Sequence, residues 1–218
     1  MISADSSAII SLSMSCLSLV LNDLGKKVVI PPAVYDEVVS TPITSKRFSL
    51  GSMRINKLLD DGVLSVRTPE PDLTARILEG FNTAYSVKRQ PMRIIHRGEA
   101  EALALAKHSD VEALLVDERT TRLIIENPRQ LQELLSRQNN AHVQLDMDKV
   151  TEVRRMLPEV RILRSAEVAA VAYERGILSK YVSAGGGNMI DAVLSSLKLS
   201  GCSITWGEID EYKKTFGE

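Results

Sequence analysis

Two aspartates directly follow apolar segments that have the composition of buried strands. Asp5 follows "MISA" and Asp117 follows "ALLV", with no turn residue between strand and acid. Because ligands of parallel α/β sheets bind beyond the carboxyl ends of the strands, both carboxylates are expected at one edge of a sheet. Clustered carboxylates repel one another unless a cation lies between them, and Mg²⁺ takes oxygen ligands. Such a site supports metal-assisted phosphoryl hydrolysis.

Two further acids can join this edge from helices. Glu37 lies in the helix that leaves the second strand, and Glu99 opens the helix that precedes "ALLVD". Each acid also has a structural explanation. Asp5 could cap the first helix, Asp117 could cap the helix after it, Glu99 could favour the positive end of its helix dipole, and Glu37 could be solvated. Their convergence at one edge favours the site.

Alternating strands and helices must position these acids. The predicted strands are "MISA", "KKVVIPP", "VLSVR", "ALLVD" and "EVRIL". Helices are predicted at about 7–23, 32–39, 52–62, 72–89 and 98–109, and after Asp117 at 119–138 (interrupted near Pro128), 147–157, 165–176, 188–201 and 205–216. This order favours an α/β fold with a mainly parallel sheet.

Composition and cysteine usage limit the class of protein. A chain of 218 residues with 44% hydrophobic and 25% charged residues is expected to form one globular domain. Cys16 and Cys202 have no metal-binding spacing, which suggests reduced thiols in a cytoplasmic protein. The apolar stretch 8–21 is too short to span a bilayer and contains four serines, so no membrane association is expected.

The charge distribution gives a local signal for nucleic acid. Residues 41–97 contain ten Lys/Arg and five Asp/Glu, a net of +5, whereas the whole chain carries −1. A basic segment of this kind suits RNA phosphate binding, although a solvated pair of helices is an equal alternative. Phe48, Phe81 and Tyr85 are the only aromatic residues there, so base stacking is expected to be minor.

The acidic motifs resemble a known family. In order along the chain, "SADSSAIISL", "IPPAVYDEVV", "RGEAEALALA" and "LLVDERTTR" are similar to the PIN-domain family, in particular its toxin-type ribonucleases. The resemblance covers most of residues 1–122 and 158–216. It implies a single three-layer α/β/α domain over 1–218 with a sheet of four to five strands, a helical insertion at about 123–157, and C-terminal helices at about 165–216.

The resemblance also implies an activity and a set of residues. It implies an Mg²⁺- or Mn²⁺-dependent ribonuclease that cleaves single-stranded RNA, with an antitoxin protein and a second copy of the chain as candidate partners. The alternative is a catalytically silent module that binds RNA or a protein. The family's metal-binding and catalytic acids fall on Asp5, Glu37, Glu99 and Asp117; Ser7, Arg119 and Arg122 fall at substrate-binding positions; Glu101 competes with Glu99, and Glu118 is left open.

Overall fold

Five short parallel strands form the central sheet of the computed structural model, which describes residues 1–46, 48–108, 110–157, 161–183 and 188–217. The strands lie in the order β3-β2-β1-β6-β8, with bounds β1 Ile2–Ala4, β2 Val28–Ile30, β3 Leu64–Val66, β6 Ala113–Leu115 and β8 Arg161–Leu163. The central strand β1 pairs with β2 on one side and with β6 on the other. The expected parallel sheet is confirmed, and the first residues of the predicted last strand, 159–160, lie outside the described residues.

Helices cover both faces of this sheet. The first face carries α1 Ser6–Met14, α2 Val20–Asp23, α3 Pro32–Tyr35, α4 Ser49–Asp60, α10 Ser165–Glu174, α11 Met189–Leu199 and α12 Trp206–Phe216. The second carries α5 Pro71–Ala84, α6 Arg97–Leu105, α7 Arg119–Glu126, α8 Pro128–Gln138 and α9 Met147–Met156. None of these helices is long and apolar enough to cross a membrane.

The alternation of side chains along β6 shows why the strands are apolar throughout. Ala113 and Leu115 point into the first core, whereas Leu114 and Val116 point into the second. Because both faces of a parallel sheet are covered by helices, its strands have no polar side. The three-layer α/β/α fold is therefore confirmed.

The predicted helix over 7–23 is broken. Helix α1 ends at Met14, Cys16 adopts a left-handed conformation with φ 58°, and α2 begins only at Val20. The N–H of Leu17 donates to the carbonyl of Leu12 at 2.8 Å, which closes the helix end in the manner of a Schellman motif. Local backbone hydrogen bonding therefore interrupts a stretch whose apolar composition favours one helix.

The predicted helix over 72–89 is also wrong in its last part. Helix α5 ends at Ala84, and β4 (Tyr85–Val87) turns back into β5 (Gln90–Pro91) through two residues with φ of 50° and 66°. Such values are typical of a tight hairpin turn. The far side of β4 pairs with β7 (Gln144–Leu145), a partner distant in sequence, which local periodicity does not reveal.

The expansion after α7 adds to the second layer. Its buried side chains, Leu131, Leu135, Val143, Val150 and Val153, join the core that α5 and α6 form. The carboxylate of Asp146 accepts the N–H groups of Asp148 and Lys149 at 3.1 and 3.2 Å, so it caps α9. The segment is mainly helical, as expected, and it packs over α5.

The contact between α5 and α9 gives a stability prediction. A Cβ added at Gly80 would collide with Cγ2 of Val153, a side chain that is rigid at χ1. Gly80→Ala should therefore destabilise the protein by roughly 1–3 kcal/mol in urea unfolding, the usual cost of overpacking.

A matched glycine serves as the control. Gly51 lies inside α4 and has no atom within 4 Å of an added Cβ, so Gly51→Ala should raise stability by up to about 1 kcal/mol. The double variant Gly80→Ala, Val153→Ala should recover part of the loss caused by Gly80→Ala. Equal stability changes at the two glycines would contradict the close helix contact.

Candidate active site

The carboxyl groups of Asp5 and Asp117 meet at the carboxyl edge of the sheet. Asp5 follows β1 and accepts the N–H of Ala8 at 3.0 Å, so it caps α1. The hydroxyl of Ser7 donates to the Asp5 carboxylate at 2.8 Å and accepts the N–H groups of Asp117 and Glu118 at 3.0 and 3.2 Å. Ser7 thus ties the β1–α1 turn to the β6–α7 turn. Asp5 therefore caps α1, and the charges of Glu99 and Asp117 act on the same carboxyl group.

Glu99 joins this pair from the start of α6. Its carboxylate accepts the N–H of His96 at 2.5 Å and a hydrogen bond from the hydroxyl of Thr121. Glu118, which the resemblance left open, hydrogen-bonds to the Glu99 carboxyl group. Two side chains of the β6–α7 region therefore hold Glu99 beside Asp5 and Asp117.

The crowding of these acids changes their proton affinities. Burial is the largest cause of a pKa of about 8 at Asp5. The hydrogen bonds from Ala8 and Ser7 lower this pKa, and the negative charges of Glu99 and Asp117 raise it. Burial also raises the pKa of Glu118 to about 7, and the charge of Glu99 and the hydrogen bond with it act in the same direction. At neutral pH the cluster therefore retains protons that isolated carboxyl groups would lose.

Asp117 is fully buried and has a second partner. Its carboxylate accepts the backbone N–H of Ser165 at 2.7 Å and the Ser165 hydroxyl at 2.6 Å. The explanation that Asp117 caps the helix after it is wrong, because Glu118 is the residue that precedes α7. Asp117 instead fixes the beginning of α10, so it contributes to the fold as well as to the acidic cluster.

Glu37 approaches the cluster from the other side of α6. Helix α3 continues into one π-helical turn, Asp36–Ser40, which is a geometry often found at functional sites. The exposed Glu37 side chain lies over Gly98: a Cβ added there would stand 3.1 and 3.2 Å from its two carboxylate oxygens. Glu37 therefore lies beside the residue that precedes Glu99.

Glu101 has a different environment from Glu99. It is buried, and its carboxylate accepts the N–H of Ala33 at 2.9 Å and the Nε–H of Arg97 at 2.7 Å. The bond from Ala33 ties α6 to the start of α3, the helix that leads to Glu37, whereas the bond from Arg97 lies within α6. We interpret Glu101 as a residue that holds the two helices together, and Glu99 as the member of the cluster.

The comparison with known families agrees with this architecture. A family model described as a PIN domain matches residues 1–129. The chain belongs to the PIN-domain family. No curated protein and no solved structure matches the chain. The matched part of this PIN domain contains all four predicted acids, whereas most of α8, α9 and the C-terminal helices lie beyond it.

Among the described residues, the basic residues of the segment 41–97 do not form one surface. The segment 41–97 is divided between α4 on the first face of the sheet and α5 on the second, and Lys57, Arg67 and Arg76 pair with carboxylates. The separate prediction for α7 concerns Arg119 and Arg122. Arg122 pairs with Glu126 at 3.0 Å. Arg119 is exposed and has no carboxylate within 4 Å in the described part of the chain.

PIN domains typically use divalent metal ions, and the donor chemistry here fits such an ion. Within the described ranges, no three carboxylate, imidazole or thiolate groups are already placed to hold a metal. The cluster does supply hard oxygen ligands, and the enclosed Asp5 carboxyl lies among acids whose negative charge a cation would offset. Asp5 and Glu99, with Glu37 and Asp117 beside them, are the residues that would hold the ion.

Ser165 and Thr121 complete the surroundings of the cluster and were not among the predicted residues. Ser165 follows β8, so the rule that places Asp5 and Asp117 at the sheet edge also applies to it. Thr121 lies four residues after Asp117, in the first turn of α7. Both side chains are uncharged, so the pattern of acidic residues in the sequence does not indicate either of them.

The raised pKa of Asp5 predicts how stability depends on pH. A carboxyl group whose pKa rises from 3.8 to about 8 on folding keeps its proton in the folded state while the unfolded chain loses it. Stability should therefore fall between pH 4 and pH 8, by up to about 1.4 kcal/mol per pH unit from this group. Glu118 adds a fall in the same direction up to about pH 7.

Asp5→Asn is the variant that measures this effect. It keeps the shape of the side chain and cannot titrate, so urea unfolding in EDTA should give a shallower fall between pH 5.5 and pH 8 than the parent shows. Asp146→Asn, at the exposed cap of α9, should follow the parent. Parallel profiles for Asp5→Asn and the parent would contradict the raised pKa.

Proposed function

We propose that this PIN domain is a metal-dependent endoribonuclease that hydrolyses single-stranded RNA. The fold is nuclease-like, and the observation that carries the proposal is the cluster of Asp5, Glu99 and Asp117 at the carboxyl edge of the sheet. Glu37, beside Gly98, is the fourth proposed acid. Bound Mg²⁺ or Mn²⁺ would supply an activated water and charge stabilisation at the phosphate.

The protein's own residues contribute position and proton control. Ser7, Thr121 and Ser165 hold three of the acids by hydrogen bonds, so the acids are oriented before substrate arrives. The proton on Asp5 must leave before its carboxylate can act as a ligand. Activity should therefore rise between about pH 6 and pH 8.5.

We assign the substrate contact to Arg119 rather than to Arg122. Arg119 is exposed at the start of α7, directly after the acidic cluster, and its guanidinium is free of carboxylates in the parts of the chain described. Arg122 pairs with Glu126, and the Ser7 hydroxyl is engaged with Asp5 and two backbone N–H groups. A planar guanidinium next to the cluster suits a phosphate group.

An apolar groove supports a protein partner such as an antitoxin. Ile10, Met14 and Phe48 are 40%, 61% and 51% exposed and line a cavity of about 280 Å³ between α1 and α4. Glu37 borders the same cavity, so a bound segment would reach the acidic cluster. Exposed apolar patches of this kind are typical of interaction sites. Co-expression with the product of a small neighbouring gene, and loss of the complex in Met14→Asp, tests the partner.

Metal-dependent cleavage is the direct test of the enzyme. The purified protein should cut an unstructured RNA with Mg²⁺ or Mn²⁺, more rapidly at pH 8 than at pH 6, and not in EDTA. Asp5→Asn and Glu37→Gln should each lower the rate at least 100-fold, because removal of a charged group that stabilises the transition state costs roughly that much.

The expansion after α7 provides two acidic residues for a matched control. Asp146→Asn together with Asp148→Asn removes two exposed carboxylates outside the cluster, and the rate should stay within about threefold of the parent. Cleavage that persists unchanged in EDTA would refute the metal mechanism. A protein that shows no cleavage and no rise in Tm with either metal would instead be a silent binding module.

A further inference from the structure

Trp206 is the only tryptophan of the chain and is half exposed. It is the first residue of α12, and 54% of its surface is accessible. The ammonium nitrogen of Lys198, in the last turn of α11, lies 5.2 Å from the centroid of its ring. An exposed indole costs free energy in water, and a cation over its face is the arrangement of a cation–π pair.

The Lys198 side chain is held in place by a main-chain hydrogen bond. Its ammonium group donates to the carbonyl of Ile204 at 2.5 Å, and no carboxylate lies within 4 Å of it in the described ranges. The hydrogen bond to a main-chain oxygen fixes the side chain without neutralising it. An indole and an uncompensated ammonium group are therefore presented together.

The loop between α11 and α12 contacts the acidic cluster. The N–H of Ser203 donates to the main-chain carbonyl of Asp117 at 3.0 Å, and Arg164 holds the Ser203 carbonyl at 3.5 Å. Ser203 is adjacent to Ile204, which anchors Lys198. Ser203 precedes Trp206 by three residues, so the backbone of Trp206 lies within roughly 12 Å of the residue that contacts Asp117, about the length of a few stacked nucleotides at ~3.4 Å each.

We propose that Trp206 and Lys198 form a stacking platform for a base of single-stranded RNA, a few nucleotides from the phosphate that is cleaved. The proposal rests on the proposed function and extends it to a binding subsite. Aromatic faces bind any base, and a cation beside the ring attracts the phosphate that follows. A protein contact is less consistent with the site, because apolar docking would bury the Lys198 ammonium group with no carboxylate beside it in the described ranges.

The single indole makes the platform directly observable. In EDTA, to prevent cleavage, an unstructured RNA of eight adenosines should quench the Trp206 fluorescence in a saturable way. Kd from the anisotropy of a labelled copy should rise roughly 5- to 100-fold in Trp206→Ala, the range expected for one stacked base, and stay within about threefold in Trp206→Phe. In Lys198→Gln, the slope of log K against log salt concentration should decrease in magnitude by about 0.7, because one phosphate contact is lost.

Leu199→Ala is the matched surface control. Leu199 follows Lys198 and is 79% exposed, so its truncation should leave Kd unchanged. Thermal melting of each variant checks the fold. Equal RNA affinity of Trp206→Ala and the parent, or RNA binding without quenching, would overturn the platform. A changed oligomeric state of Trp206→Ala with unchanged RNA affinity would overturn it in favour of a protein contact.

Cleavage and stacking can fail separately. Quenching by RNA without cleavage in Mg²⁺ or Mn²⁺ would support the platform and refute the nuclease. Cleavage without quenching would support the nuclease and refute the platform.

Discussion

The structure depends on holding three acids together against their mutual repulsion. Asp5, Glu99 and Asp117 come from two strand ends and one helix start, and the protein encloses them at the edge of the sheet. Burial of unpaired carboxylates is costly, so the site is stable only where hydrogen bonds or protons compensate. Ser7, Thr121 and Ser165 supply the hydrogen bonds, and the raised pKa values of Asp5 and Glu118 supply the protons.

These supporting contacts also connect the layers of the fold. Ser7 links the β1–α1 turn to the β6–α7 turn, and Asp117 links that same turn to α10 through Ser165. Glu101 connects α6 to the start of α3. The π-helical turn that continues α3 places Glu37 next to Gly98. The proposed chemistry and the packing of the helices around β6 therefore rest on the same hydrogen bonds.

In the described residues, the expansion after α7 contributes mainly to packing. It adds five apolar side chains to the second core, and β7 extends the hairpin that follows α5. The hydroxyl of the buried Tyr85 donates to the Pro128 carbonyl at 3.0 Å, which fixes the beginning of α8. Most of this expansion lies beyond the matched PIN-domain segment, residues 1–129.

The sequence alone determined the alternation of strands and helices and the position of Asp5 and Asp117 after two strands, because apolar runs and strand-end acids are local patterns. It also marked Glu99 and Glu37 as candidates. Only the tertiary structure decided that Glu118 pairs with Glu99, that Glu101 accepts a hydrogen bond from Ala33, and that Ser203 contacts the main chain of Asp117. The hairpin after α5 and the contact of Ser165 with Asp117 were likewise undetermined. Each of these depends on a partner distant along the chain, and such pairings form when buried polar groups must find hydrogen bonds within the folded protein.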